Sequence, residues 1–170
     1  TQAFRYAYEP FVFAKNKDKD SKQVYADSMK YYVISSLLIC LGMIFYIDIL
    51  KLLIHESYWS GLIIIPVVLL SYLFQGVYFN LSLWYKLVDK TYFGAIMSSI
   101  GFVINVVLLI VLVPLIGFMG AALASLAAYT VMMIISYFLG NKYFPVNYPL
   151  LSMAKYFGIA VALVAISYLA

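Results

Sequence analysis

TYFGAIMSSIGFVINVVLLIVLVPLIGFMGAALASLAAYTVMMIISYFLGN, residues 91–141, contains no Asp, Glu, Lys, Arg or His over 51 consecutive positions. As one α-helix this stretch would be about 77 Å long at ~1.5 Å per residue. A bilayer's hydrocarbon core is about 30 Å thick and takes about 20 residues to cross. The stretch must therefore fold back on itself. Its middle reads Pro114-Leu115-Ile116-Gly117-Phe118-Met119-Gly120. Proline ends or kinks a helix, and glycine supplies the backbone conformations of a tight turn. The expectation is a hairpin of two membrane-spanning helices joined by a short, uncharged turn.

The composition extends that reading to the whole chain. Of 170 residues, 66% are hydrophobic and 11% charged, with a mean hydropathy of +0.99. A soluble domain carries about 25% charged residues. The net charge of +4 is no nucleic-acid signal, because the lysines gather between apolar spans, as membrane topology requires. The one cysteine, Cys40, lies inside an apolar span, so no internal disulfide, metal-ligand cluster or cofactor site is expected. The lone His55, beside Glu56 in a loop, reads as a solvated or structural histidine. The chain starts at Thr1 without a signal peptide's charged start and cleavage site, and it stops 15 uncharged residues into its last span, Tyr156 to Ala170. It reads as an internal or C-terminal piece of a larger membrane protein.

About six spans are expected in an all-α, polytopic arrangement: residues 1–14, 31–53, 61–85, 91–115, 119–139 and 151–170. The first is the end of a helix, carrying Arg5 and Glu9 before Pro10. A lysine-rich connection follows, in which Asp20 or Ser21 is placed to cap the next helix. Asp48 and Lys51 stand at helical spacing near the end of the second span, as an interfacial pair. Tyr58 and Trp59 then read as aromatic-belt residues, as do Trp84, Tyr85, Tyr92 and Phe93 around the loop at 86–90. Pro66 and Gly76 are expected to interrupt the third span, whose polar residues are Ser71, Gln75, Asn80 and Ser82.

Charge sets the topology. The first, third and fifth connections hold Lys15, Lys17, Lys19, Lys22, Lys30, Lys86, Lys90, Lys142 and Lys155, whereas the second and fourth hold only Lys51. The loops at 15–30, 86–90 and 141–150 are therefore expected to be cytoplasmic, and the Pro114–Gly120 turn to face the other side. Gly120, Ala124 and Ala128 form a stripe of small residues that lets helices approach closely. Gly94, Ser98, Gly101 and Asn105 answer it on the preceding span. Asn105 reads first as a helix-to-helix hydrogen bond and second as a substrate contact.

No catalytic constellation is visible: no nucleophile with a nearby base, no carboxylate pair, no phosphate-cradling glycine loop. The protein is not expected to be an enzyme. Asn80-Leu81-Ser82 matches a glycosylation sequon, but within a span the match is chance. The most informative residue is Arg5. It lies ten residues before Lys15, hence about 15 Å deeper in a helix, where ionisable groups usually face a bundle interior or a watery cavity. Two readings stand. Arg5 is a cavity cation for an anionic group, since guanidinium binds phosphate oxygens in bidentate fashion. Or it is structural, paired with Glu9 one turn away or placed near the interface of a shorter helix. Glu9-Pro10 reads as a kink with a satisfied carboxylate ahead of proton or ion coupling. The Lys15–Lys30 run is a solvated loop touching anionic membrane lipid.

Several stretches resemble one family. Thr1-Gln2-Ala3-Phe4-Arg5-Tyr6-Ala7-Tyr8-Glu9-Pro10-Phe11 and Tyr25-Ala26-Asp27 after a lysine-rich loop are similar to the bacterial polysaccharide flippases. So are Glu56-Ser57-Tyr58-Trp59, Asn80-Leu81-Ser82-Leu83-Trp84-Tyr85-Lys86 and Pro114-x-x-Gly117-x-x-Gly120-Ala121-Ala122. These are the O-antigen (lipopolysaccharide) or capsule repeat-unit flippases of the multidrug/oligosaccharidyl-lipid/polysaccharide exporter superfamily. The proline-glycine piece is shared across the superfamily, and the Arg-Tyr-Ala-Tyr-Glu-Pro piece is more particular to the polysaccharide branch. The resemblance covers essentially the whole chain. It implies two six-helix lobes around a central cavity, of which this chain would be most of the second. It also implies alternating access and transfer of undecaprenyl-diphosphate-linked oligosaccharide across the bacterial cytoplasmic membrane. Arg5 matches a position at which cavity arginines are thought to meet the lipid's pyrophosphate.

The expectation is thus a lipid-linked oligosaccharide flippase whose partners are its lipid substrate, membrane lipid and the first lobe of the same protein, with no nucleic acid. Arg5 is the expected pyrophosphate contact, with Glu9, Gln75, Asn80 and Asn105 as further cavity residues. A cation-coupled multidrug exporter of the same superfamily would instead rely on a buried carboxylate such as Glu9. A membrane-embedded glycan polymerase or ligase should carry large, charged outer loops, which are short and nearly uncharged here. A purely structural membrane subunit would be indifferent to Arg5→Ala.

Overall fold

The computed structural model describes Pro10, Ala14 and residues 21–169. The expected first span, with Arg5 and Glu9, lies outside the described residues except for Pro10 and Ala14, which are helical and exposed. The described residues form helices and no β-strand. Five helical segments are long and apolar enough to cross a membrane: Ser21–Phe45, Tyr58–Leu87, Tyr92–Ile116, Phe118–Tyr143 and Leu150–Ser167. The chain is an all-α, polytopic membrane protein, because only helices or closed barrels satisfy every backbone group within hydrocarbon.

Helix α1, Ser21–Phe45, begins ten residues before the expected second span. Its first turns are amphipathic: Tyr25, Ala26, Met29, Tyr32 and Val33 are buried, while Lys22 and Gln23 are exposed. The Gln23 amide donates to Asp27 one turn on at 3.3 Å. A turn at Tyr46 separates α1 from the short α2, Ile47–Leu53. On α2 Lys51 pairs with Asp48 at 2.5 Å, as their spacing predicts. A 3-10 helix, Glu56–Ile64, leads into α3, Ile65–Leu81. Pro66 does not interrupt this span. It occupies the first turn of α3, where its missing N–H has no partner to lose.

A turn at Ser82 ends α3 instead, and the Ser82 hydroxyl donates to the carbonyl of Phe79 at 2.9 Å. The helical path resumes as α4, Leu83–Leu87. After a turn in which Asp89 takes φ 55°, α5 spans Tyr92–Ile116 and α6 spans Phe118–Tyr143. The expected hairpin is present and tighter than expected: one residue, Gly117 at φ 60° and ψ −140°, joins the two helices. Only glycine adopts that conformation without strain. Pro114 stays within the last turn of α5. Phe144 to Pro149 connect to α7, Leu150–Leu169.

The helices pack in the order α5, α6, α3, α1, α7. Met29, Tyr32, Val33 and Leu37 of α1 meet Leu73 and Val77 of α3 and Met153 and Ala160 of α7. Tyr78 of α3, Met97 of α5 and Met132 of α6 form a second core. Gly120, Ala124 and Ala128 are buried along α6, as the small-residue stripe predicts. A Cβ on Gly120 would stand 2.6 Å from the Leu112 carbonyl carbon and oxygen, so α5 and α6 touch backbone to backbone. Phe102, Val103, Val107, Ile110 and Val111 on α5 are exposed; lipid tails solvate such a surface as well as a protein core does. The antiparallel run gives the bundle a lysine end, with Lys86, Lys90 and Lys142, and a Gly117 end.

Candidate functional site: a polar cavity between three helices

Helices α3, α5 and α6, with the short α4, line a half-open cavity of about 580 Å³. Each wall follows helical spacing, so residues three and four apart present one face. Gln75, Tyr78, Phe79 and Ser82 come from α3 and the turn that ends it, with Tyr85 and Lys86 from α4. Gly94, Ser98, Gly101, Phe102 and Asn105 come from α5, and Ala128, Tyr129 and Met132 from α6. Tyr85 lies over Gly94, where a Cβ would sit 3.2 Å from its ring.

The chemistry of this wall is hydroxyl, amide and one ammonium. The Gln75 amide donates to the Tyr129 hydroxyl at 2.5 Å. The Asn105 amide donates to the Ser125 hydroxyl at 3.4 Å, so the helix-to-helix bond and the cavity position both belong to Asn105. Lys86, half-buried at the lysine end, is the one cation among the lining residues. Among the described residues no group of His, Cys, Asp or Glu could hold a metal ion. The arrangement can exchange hydrogen bonds with a hydroxyl-rich ligand and can place a positive charge beside an anionic one.

Of the expected site residues, the structure brings Gln75 and Asn105 together across this cavity. Asn80 is 4% exposed and lies off its wall. The Asn80 amide donates to the Gly76 carbonyl at 3.4 Å, and its Oδ1 meets no partner among the described residues. Arg5 and Glu9 are outside the described residues. Lys86, Tyr78, Tyr85 and Tyr129 went unrecognised as site residues. The signal for Lys86 was present, because it continues the polar series Gln75, Ser82 at helical spacing.

Trp84 differs from its expected role as an interfacial belt residue. It is 3% exposed and stacks on Tyr143, ring centroids 5.3 Å apart at 10°, with Phe93 at 5.1 Å. Gly140 leaves room for it: a Cβ there would lie 3.1 Å from the indole. Lys90 places its ammonium 4.0 Å from the Tyr143 ring, a cation–π contact. This cluster clamps α4, α5 and α6 together beside the cavity mouth. No protein-family model, no curated protein and no solved structure matches the chain.

Proposed function

We propose that the chain forms part of a flippase that carries undecaprenyl-diphosphate-linked oligosaccharide across the bacterial cytoplasmic membrane, using the cavity between α3, α5 and α6. A hydroxyl-rich head crossing hydrocarbon loses its water, at a cost of several kcal/mol for each polar group left unpaired. A wall of amides and hydroxyls replaces that water while the lipid tail stays outside. In this reading the lysine end is cytoplasmic, as the distribution of lysines requires, so the cavity opens toward the leaflet in which lipid-linked sugars are assembled. Lys86, in the lining at the lysine end, meets a phosphate of the head group. No bond is made or broken.

The observation that carries the reading is the lining itself: amides and hydroxyls from three helices with one cation, Lys86, among them. The test uses the full-length protein in cells lacking their own copy, with Lys86→Ala, Lys86→Arg, Arg5→Ala and wild type compared at equal membrane abundance. Loss of surface polymer with accumulation of lipid-linked intermediates in Lys86→Ala, and recovery in Lys86→Arg, is the expected result. Normal export by both Lys86→Ala and Arg5→Ala would remove the anionic-head-group reading.

A further inference from the structure

A second pocket, of about 340 Å³, lies between α3 and α6 toward the Gly117 end. Ser71, Tyr72, Ser125 and Tyr129 are its polar lining residues, with Val68, Phe118 and Ala121 around them. Along α3 and the residues that flank it the two pockets use one continuous face. Ile64, Val68, Ser71 and Tyr72 line the second pocket, and Gln75, Tyr78, Phe79 and Ser82 line the first. Tyr129 belongs to both walls. Two interhelical hydrogen bonds, Gln75 to Tyr129 and Asn105 to Ser125, fall where the pockets meet. Asn105 is about 20 Å along α5 from Tyr92, and Tyr129 about 17 Å along α6 from Phe118, at ~1.5 Å per residue. Both therefore sit near mid-depth of helices about 38 Å long.

We propose that the two pockets are the two halves of one path for a hydroxyl-rich head group, and that Tyr129, held by Gln75, is the partition between them. The identity of what passes rests on the flippase reading; the path does not. Each partition bond joins a group that a sugar hydroxyl can replace, so opening exchanges protein–protein for protein–ligand hydrogen bonds without leaving a bare polar group in hydrocarbon. The second pocket has no charged residue in its lining, whereas the first has Lys86. The Gly117-end pocket thus takes the uncharged, hydroxyl-bearing part of the ligand, and the anionic part stays with Lys86 until the partition opens.

The test requires no substrate. In the full-length protein, with all native cysteines (Cys40 included) replaced by alanine, Ser98→Cys reports on the first pocket and Ala121→Cys on the second. Both are labelled with a membrane-impermeant maleimide in right-side-out and inverted vesicles. Ser98→Cys should react from the lysine side only and Ala121→Cys from the Gly117 side only. Adding Tyr129→Phe, which keeps the ring and removes the hydroxyl, should raise labelling of Ala121→Cys from the lysine side by about fivefold, the shift expected from losing one hydrogen bond. Tyr129→Ala should raise it further, with Ser98→Cys labelling from the lysine side unchanged as the control for folding. The proposal is overturned if Ala121→Cys reacts from neither side, or reacts equally from both sides with Tyr129 intact, or is unaffected by either substitution. Failure here leaves the export assay of Lys86 standing, and failure there leaves this path standing for another polar ligand.

Discussion

Gly120→Ala places a methyl group where α5 and α6 meet backbone to backbone. The new Cβ would lie 2.6 Å from the carbonyl carbon and oxygen of Leu112 and 2.9 Å from its Cβ. Ordinary contact begins near 3.4 Å, so the helices must separate by about 0.8 Å, a gap that forfeits a quarter to a half of each facing dispersion contact. The buried residues that lose those contacts include Ala124 and Ala128, further along the same stripe. Overpacking of this kind costs about 1–3 kcal/mol, and backbone atoms cannot move aside as a side chain can, so the expected loss is about 2 kcal/mol, roughly thirtyfold in the folding equilibrium. Gly101→Ala on α5 is the comparison. There the methyl meets the thioether end of Met132, a flexible side chain that can turn away. The gain of about 0.5–1 kcal/mol from replacing glycine in a helix then offsets most of the strain. The assay is reversible unfolding in mixed micelles with rising SDS, read by tryptophan fluorescence for wild type and both variants. If Gly120→Ala unfolds within about 0.5 kcal/mol of wild type, or Gly101→Ala costs as much as Gly120→Ala, the backbone-contact argument is wrong.

Trp84→Phe should be neutral or slightly stabilising in the same assay, because the indole Nε1 is buried without a partner among the described residues while the ring stacking survives. Trp84→Ala should cost about 3–5 kcal/mol. For Asn105→Ala and Ser125→Ala, the double-mutant cycle should give a coupling of about 0.6 kcal/mol, the size usual for hydrogen bonds between membrane helices, and a coupling of zero would dissolve that contact. Asp48→Asn should change stability by less than about 0.5 kcal/mol, because the Lys51 pair is exposed and solvent-screened.

The sequence by itself determined the class of fold. A stretch of 51 uncharged residues interrupted by Pro114, Gly117 and Gly120 leaves a chain in hydrocarbon one solution, and the helix ends at 91–92 and 115–116 followed from charge and turn residues alone. The small-residue stripe on α6 and the Asp48–Lys51 pair were legible for the same reason: both depend on helical spacing within one element. Tertiary structure decided the rest. Whether Pro66 breaks a helix or starts one depends on the 3-10 turn before it. Trp84 faces inward because α4 packs against Gly140 and Tyr143 of α6 and Phe93 of α5. Gln75 and Tyr129 are 54 positions apart and become a pair only when α3 and α6 pack side by side. Composition says which groups must avoid lipid; it does not say which other helix they find there, because that choice is made by the shapes of two surfaces at once.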